Sequence, residues 1–218
     1  MRLDSYLVET GIFSSRGRAK KAISNGEVKV DGAVVTKTSK DVSTGNSIEV
    51  TEGLDKPEGY FKLQSIQEKT GILEAEDLVL DLGSSAGGFI MYASGIAGHI
   101  TGVEFSKHFR SELGKLAYEN ENVDVIFGDV FSIPLEELSE TPVDVILSDM
   151  TLEPADSLEA LERVLPLLKE GGKLLQVLKI DRARTHKGWL KKMEAMGLSI
   201  VDVIEPQKRE IYIFARKE

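Results

Sequence analysis

A short apolar run, Leu78-Val79-Leu80, feeds directly into Asp81-Leu82-Gly83-Ser84-Ser85-Ala86-Gly87-Gly88-Phe89. No other stretch constrains the fold as tightly. Glycines placed just after a strand let the backbone turn sharply and approach a ligand closely. Further apolar runs follow at Ile100 to Val103, Val123 to Phe127, Val143 to Leu147 and Leu174 to Ile180. Helical stretches separate them. In the clearest, Leu158, Leu161, Val164, Leu165 and Leu168 recur at i, i+3, i+4 spacing. This alternation predicts an α/β fold over residues 59–218, a doubly wound, mostly parallel sheet with helices on both faces.

Ligands on such sheets sit at the carboxyl ends of the strands. Asp81 ends the first strand and Glu104 the second. Gly128-Asp129 follows the third, and Ser148-Asp149-Met150 the fourth. Four acids at four successive strand ends outline a crevice the size of a nucleoside. An acid about 20 residues past a glycine loop suits two ribose hydroxyls. The loop reads G-x-x-x-G-G, so it lacks the middle glycine of the dinucleotide fingerprint G-x-G-x-x-G. An acid opening the loop disfavours a phosphate and suits a cation. S-adenosylmethionine, with a sulfonium, an ammonium and no phosphate, meets both conditions.

The first fifty residues read differently. They hold eight basic residues against six acids, whereas the whole chain of 218 residues carries a formal charge of -9. Arg16, Arg18, Lys20 and Lys21 lie close together without an intervening acid. Leu3 and Leu7, with Tyr6, predict a short amphipathic helix ended by Gly11. Ser14 or Ser15 offers an N-cap for a second helix, with Ala19, Ala22 and Ile23 on one face and Arg16 and Lys20 on another. Asn25-Gly26 stops it. Val28 and Val30, the turn Asp31-Gly32 and Val34-Val35 form a hairpin, and Ile48 and Val50 a last strand. Such a unit has little core of its own, and its basic helix suits phosphate. Residues 51–58, polar with one Gly and one Pro, read as a linker.

The order RLDSYL, GIFSSRGRAKKAI, NGEVKVDGAVV resembles the S-four domain, named after ribosomal small-subunit protein four. That resemblance covers residues 1–50 and implies binding of structured RNA, with Arg2, Arg16, Arg18, Lys20 and Lys21 as contacts. The body resembles the class I methyltransferase fold. This implies Glu104 on the cofactor's ribose hydroxyls and Asp129 near the adenine amine. Asp81, Gly83, Ser84, Ser85, Gly87, Gly88 and Phe89 would surround the methionine part, with Asp149 beside them.

DLGSSAGGF, then SDM, then a late strand after Gly171-Gly172 is similar to the FtsJ-like RNA ribose methyltransferases. The whole chain most resembles the TlyA family of ribosomal-RNA methyltransferases, also labelled hemolysins. These families use a Lys-Asp-Lys-Glu tetrad, which falls here on Lys62, Asp149, Lys179 and Glu210. A ribose 2′-hydroxyl is a poor acid and needs a base or electrostatic help. The expected base is Lys179, with Lys62 as the partner that positions it and lowers its pKa. Asp149 would hold Lys179, and Glu210 would orient Lys62 or the ribose. Ala86 and Thr151-Leu152-Glu153-Pro154 depart from the FtsJ-like pattern, which has Pro in the loop and Ala-Pro-Asn after SDM.

The expected function is therefore S-adenosylmethionine-dependent methylation of a ribose 2′-hydroxyl in ribosomal RNA. The competing readings are a non-catalytic RNA-binding or ribosome-assembly factor with a degenerate methyltransferase fold, and a hemolysin. A second basic stretch (Arg182, Arg184, His186, Lys187, Lys191, Lys192) would track RNA. There is no Cys, and the three His are scattered, so thiol catalysis is excluded and no metal is expected. No apolar run approaches a membrane span and no signal peptide opens the chain, so a cytoplasmic protein is expected.

Overall fold

The computed structural model describes residues 1–13, 15–50, 56–180, 186–205 and 209–218. It divides into two compact units, Met1–Lys56 and Pro57–Glu218.

In the first unit, α1 (Leu3–Glu9) and α2 (Arg16–Ser24) precede β1 (Val28–Val30), β2 (Ala33–Val34) and β3 (Ile48–Val50). Ser15 caps α2, its side chain accepting from the Arg18 N–H. Asp31 and Gly32 both adopt positive φ, which is what a two-residue hairpin turn requires. The strands form an antiparallel sheet in the order β2-β1-β3. Small as it is, the unit closes a core of its own. Leu3 and Leu7 of α1 meet Ala19, Ala22 and Ile23 of α2 over Val28 and Val30, with Phe13, Val35 and Val42 filling in.

The second unit opens with α3 (Glu58–Thr70), which begins inside the expected linker because Pro57, with an extended backbone, starts the helix there. Then come β4 (Leu78–Leu82), α4 (Gly88–Ala93), β5 (His99–Glu104), α5 (Arg110–Glu119), β6 (Val123–Phe127), α6 (Leu135–Leu138) and β7 (Val143–Ser148). They are followed by α7 (Pro154–Val164), β8 (Leu168–Lys179), α8 (Lys187–Ala195), β9 (Leu198–Ile204) and β10 (Glu210–Lys217). The sheet order is β6-β5-β4-β7-β8-β10-β9. β4 to β8 run parallel, and β10 is antiparallel to both neighbours.

Two cores cover the two faces. One packs α6, α7 and α8 through Leu138, Leu158, Leu161, Val164 and Met193. The other packs α3, α4 and α5 through Leu63, Ile66, Phe89, Ile90 and Leu113. Each of these large side chains contributes about 1.5–3 kcal/mol on full burial. From the central strands β4 and β7 the chain winds outward in opposite directions. The crevice between their carboxyl ends is where such folds bind ligands.

Two elements differ from the expected pattern. The helical run does not reach Leu168. It gives way at Leu165–Leu167, where Pro166 cannot continue the helix, and Leu168 instead opens β8 opposite Val143. β8 therefore starts six residues before Leu174. β9 had no expectation at all. It is an edge strand, and of its residues only Leu198 is buried, which leaves the sequence little alternation to show.

Candidate active site

Four segments far apart in the chain meet at this end of the sheet. Lys62 comes from α3, whose neighbouring Leu63 and Ile66 are buried against the sheet. Asp149 follows β7, its N–H donating to the Leu82 carbonyl at 3.1 Å. Lys179 ends β8 and Glu210 begins β10, where the two are cross-strand partners. Lys62 Nζ donates to Asp149 Oδ2 at 2.7 Å and lies 3.3 Å from Glu210. Lys179 Nζ donates to Asp149 Oδ1 at 2.5 Å and to Glu210 Oε2 at 2.8 Å. Each carboxylate thus holds both ammonium groups. The expected tetrad is assembled.

The expected electrostatics are not. Burial lowers the Lys179 pKa, but Asp149 and Glu210 more than offset it, so the group is raised above the ordinary Lys value. The expected lowering by Lys62 is not what the structure shows, because two carboxylates intervene between the two cations. Burial likewise pushes Glu210 up, yet Lys179, Tyr212 and Lys62 together bring it down to about 2.

Tyr212 went unnoticed in the sequence. Its hydroxyl donates to Glu210 Oε1 at 2.7 Å. Its ring centroid lies 5.4 Å from Lys62 Nζ, within range of a cation–π contact. The signal was available: two residues beyond Glu210 on a strand, it shares the same face.

Beside the tetrad lies a cleft of about 450 Å³ lined in part by Gly83, Ser85, Glu104, Asp129 and Asp149. Gly83 has φ of +82°, and a Cβ there would come within 2.9 Å of Met150 Cγ, so only glycine fits. Glu104 is clamped by two backbone donors, Ser85 N to Oε2 at 2.7 Å and Ser106 N to Oε1 at 2.6 Å. Each oxygen keeps a lone pair for a further donor, such as one of two adjacent hydroxyls. Asp129 Oδ1 accepts from Phe131 N at 3.0 Å. Phe105, Phe109, Phe131 and Met150 complete an apolar wall that the sequence reading overlooked.

The other expected cofactor residues are not on this lining. Asp81 is buried, and its Oδ2 has no hydrogen-bond partner. Burial, reinforced by the negative charges of Asp149 and Glu104, pushes it up to about 7. Ser84 Oγ donates to the Asp81 carbonyl at 3.3 Å. Gly87, Gly88 and Phe89 serve packing. A Cβ on Gly87 would meet Leu116 of α5, one on Gly88 would come within 2.7 Å of Tyr60 N on α3, and Phe89 is in the core.

In the first unit, Lys20 and Lys21 are exposed and Arg18 is half-buried. Arg2 and Arg16 both bond Asp4, whose carboxylate is completely buried. On α8, Lys187, Lys191 and Lys192 are exposed, and Lys192 lies over the Trp189 ring. His186 pairs with Glu205 at 3.3 Å. Arg182 and Arg184 lie outside the described residues. Among the described residues no helix is long and apolar enough to cross a membrane.

Comparison with known proteins fits this geometry. The FtsJ-like methyltransferase family matches residues 57–218, and the S4 domain matches residues 1–48. A ribosomal RNA large subunit methyltransferase E from Desulfosudis oleivorans is 33% identical over 132 residues, covering 51% of this chain and 59% of its own length. A candidate hemolysin of known structure from Streptococcus thermophilus aligns over 100% of this chain and 88% of its own, at 17% identity and a TM-score of 0.63. Fibrillarin from Aeropyrum pernix, solved with natively bound S-adenosyl-L-methionine, aligns over 66% of this chain and 68% of its own, at 24% identity and a TM-score of 0.59. The two family matches stand in the order that the TlyA resemblance implied. The chain belongs to the FtsJ-like methyltransferase family, with an S4 domain ahead of the methyltransferase fold.

Proposed function

We propose that this protein transfers a methyl group from S-adenosylmethionine to a ribose 2′-hydroxyl of structured ribosomal RNA. The observation that carries the reading is the double position of Asp149, which lines the cleft and also grips both tetrad lysines. A ligand in the cleft and a hydroxyl at the tetrad are thereby held next to each other. The names of the methyltransferase E relatives support ribosomal RNA as the substrate class, and the S4 domain supports an RNA partner. A cytoplasmic place of action follows from that substrate.

The residues fit the cofactor. The unpartnered Asp81 Oδ2 suits its ammonium, and the clamped Glu104 suits the ribose hydroxyls. Gly83 and Ser85 line the cleft, and Asp129, on the same lining, would accept from the adenine amine. When bound, S-adenosylmethionine supplies an electrophilic methyl group on a sulfonium. The chain's own work is alignment and proton removal. Asp149 and Glu210 fix Lys179 and Lys62 at the hydroxyl, which contributes mainly by orientation. Lys179 in its neutral form takes the hydroxyl proton as the O–C bond forms and the C–S bond breaks. Lys62 orients the oxygen.

Because Lys179 sits above its ordinary pKa, its neutral fraction near pH 7 is below roughly one part in a thousand. The transfer rate is therefore expected to rise about tenfold per pH unit from neutrality upward. The four complete tetrad side chains favour catalysis over a silent fold. Mass mapping of ribosomal RNA exposed to the protein and S-adenosylmethionine should reveal one added ribose methyl. Absence of any new methyl, with cofactor demonstrably bound, would sink the proposal.

A further inference from the structure

We propose that the buried Asp4 carboxylate clamps Arg2 and Arg16 into a fixed guanidinium pair that grips backbone phosphates of folded RNA. Asp4 is then a positioning residue that makes no RNA contact itself. The inference rests on the RNA reading above.

Asp4 sits in the first turn of α1 with its side chain 0% exposed. Its Oδ1 accepts from Arg2 Nε at 2.9 Å, and its Oδ2 from Arg2 Nη2 at 3.1 Å and Arg16 Nη2 at 2.9 Å. The two arginines reach it from different elements: Arg2 just precedes α1 and Arg16 opens α2. Arg2 alone, bound in a fork, already neutralises one carboxylate. The second guanidinium makes the cluster a net cation. That surplus charge is left outward, because the Arg2 and Arg16 side chains remain 47% and 54% exposed over an acid that is shut off from solvent. Each guanidinium keeps N–H donors that Asp4 does not use. A planar fork whose rotamer is already set loses little entropy when a phosphate docks. Lys20, exposed one turn along α2 from Arg16, extends the same stripe. Arg2 above all, and then Arg16, hold Asp4 well below the usual carboxylate range, so the clamp stays closed at any physiological pH.

The sign of one substitution separates this from generic electrostatics. Asp4→Asn makes the protein more positive, so a surface that binds RNA by charge alone would bind more tightly. The clamp predicts binding about tenfold weaker, because the pair loses its anchor. The experiment titrates deproteinised large-subunit ribosomal RNA with the full-length wild type, Asp4→Asn and Arg16→Gln across a range of salt. Arg16→Gln should lower the slope of log affinity against log salt by about one unit, which a merely structural arginine would not do. Amide exchange across α1 and α2 reports whether each variant is folded, and if Asp4→Asn unfolds the unit the Arg16→Gln slope decides alone. Equal or tighter binding by folded Asp4→Asn, or an unchanged slope for Arg16→Gln, overturns the clamp while leaving the RNA reading intact. Wild type that fails to bind the RNA at all overturns both.

Discussion

Each unit contains one charged centre that ties together segments distant in the chain, and the two are built on opposite plans. Around Asp149 and Glu210, two lysines and two carboxylates close on one another and sum to zero. Around Asp4, two arginines share one carboxylate and leave a positive remainder on half-exposed side chains. Lysine can release a proton within reach of neutral pH when its surroundings change, whereas arginine cannot. The lysine centre can therefore move a proton at a fixed point. The arginine centre offers a charge that never varies. Chemistry and grip are separated by the choice of cation.

The largest effect expected from breaking this contrast is at Lys179. Lys179→Ala should cut methyl transfer by about 10²–10⁴-fold, as loss of a general base does, while S-adenosylhomocysteine still binds in calorimetry. Turnover at the wild-type rate would remove the lysine centre from the chemistry. Next comes Gly88→Ala, whose Cβ would be driven to within 2.7 Å of Tyr60 N. The backbone of α3 must shift, carrying Lys62 with it. A stability loss of about 1–3 kcal/mol and a drop in transfer rate are expected, read by thermal melting and by turnover.

A smaller effect tests Asp81. Its folded pKa is raised to about 7, so the fold loses stability as pH climbs from the ordinary Asp value of about 3.9 through 7. An ammonium ligand needs the ionised form. Affinity for S-adenosylhomocysteine should therefore rise about fivefold between pH 6 and 7, and Asp81→Asn should flatten that dependence. A wild-type affinity that is level across this range would refute the assignment. The smallest effect belongs to the arginine centre. Asp4 has a depressed pKa, so its stabilisation is complete above the ordinary Asp value and fades only as pH falls below about 4. Amide protection in α1 should be constant from pH 5 to 9 and decline at pH 3.

Much of this was legible because strand ends are marked locally. Asp81, Glu104, Asp129 and Asp149 each stand at or just after an apolar run, and the structure places Glu104, Asp129 and Asp149 on one cleft. Tetrad membership came from resemblance. Only the packing shows Lys62, 87 positions before Asp149, within 2.7 Å of it. Other positions show one residue type serving two purposes. Gly87 and Gly88, expected in the ligand loop, also make room for helix contacts. Arg2 and Arg16, expected as RNA contacts, share Asp4, an acid that no sequence pattern singles out.

By itself the sequence determined the alternation of strands and helices, the turn chemistry and the residue types available at each strand end. These follow from neighbours a few positions apart, through periodicity and backbone sterics. Tertiary structure alone decided which way the pKa values of Asp81, Lys179 and Glu210 are displaced. Whether Lys179 is pushed up or down depends on carboxylates brought beside it by the sheet register of β8 with β10 and by the end of β7. Charge interactions fall off with distance in space, not along the chain, so no local pattern could record them.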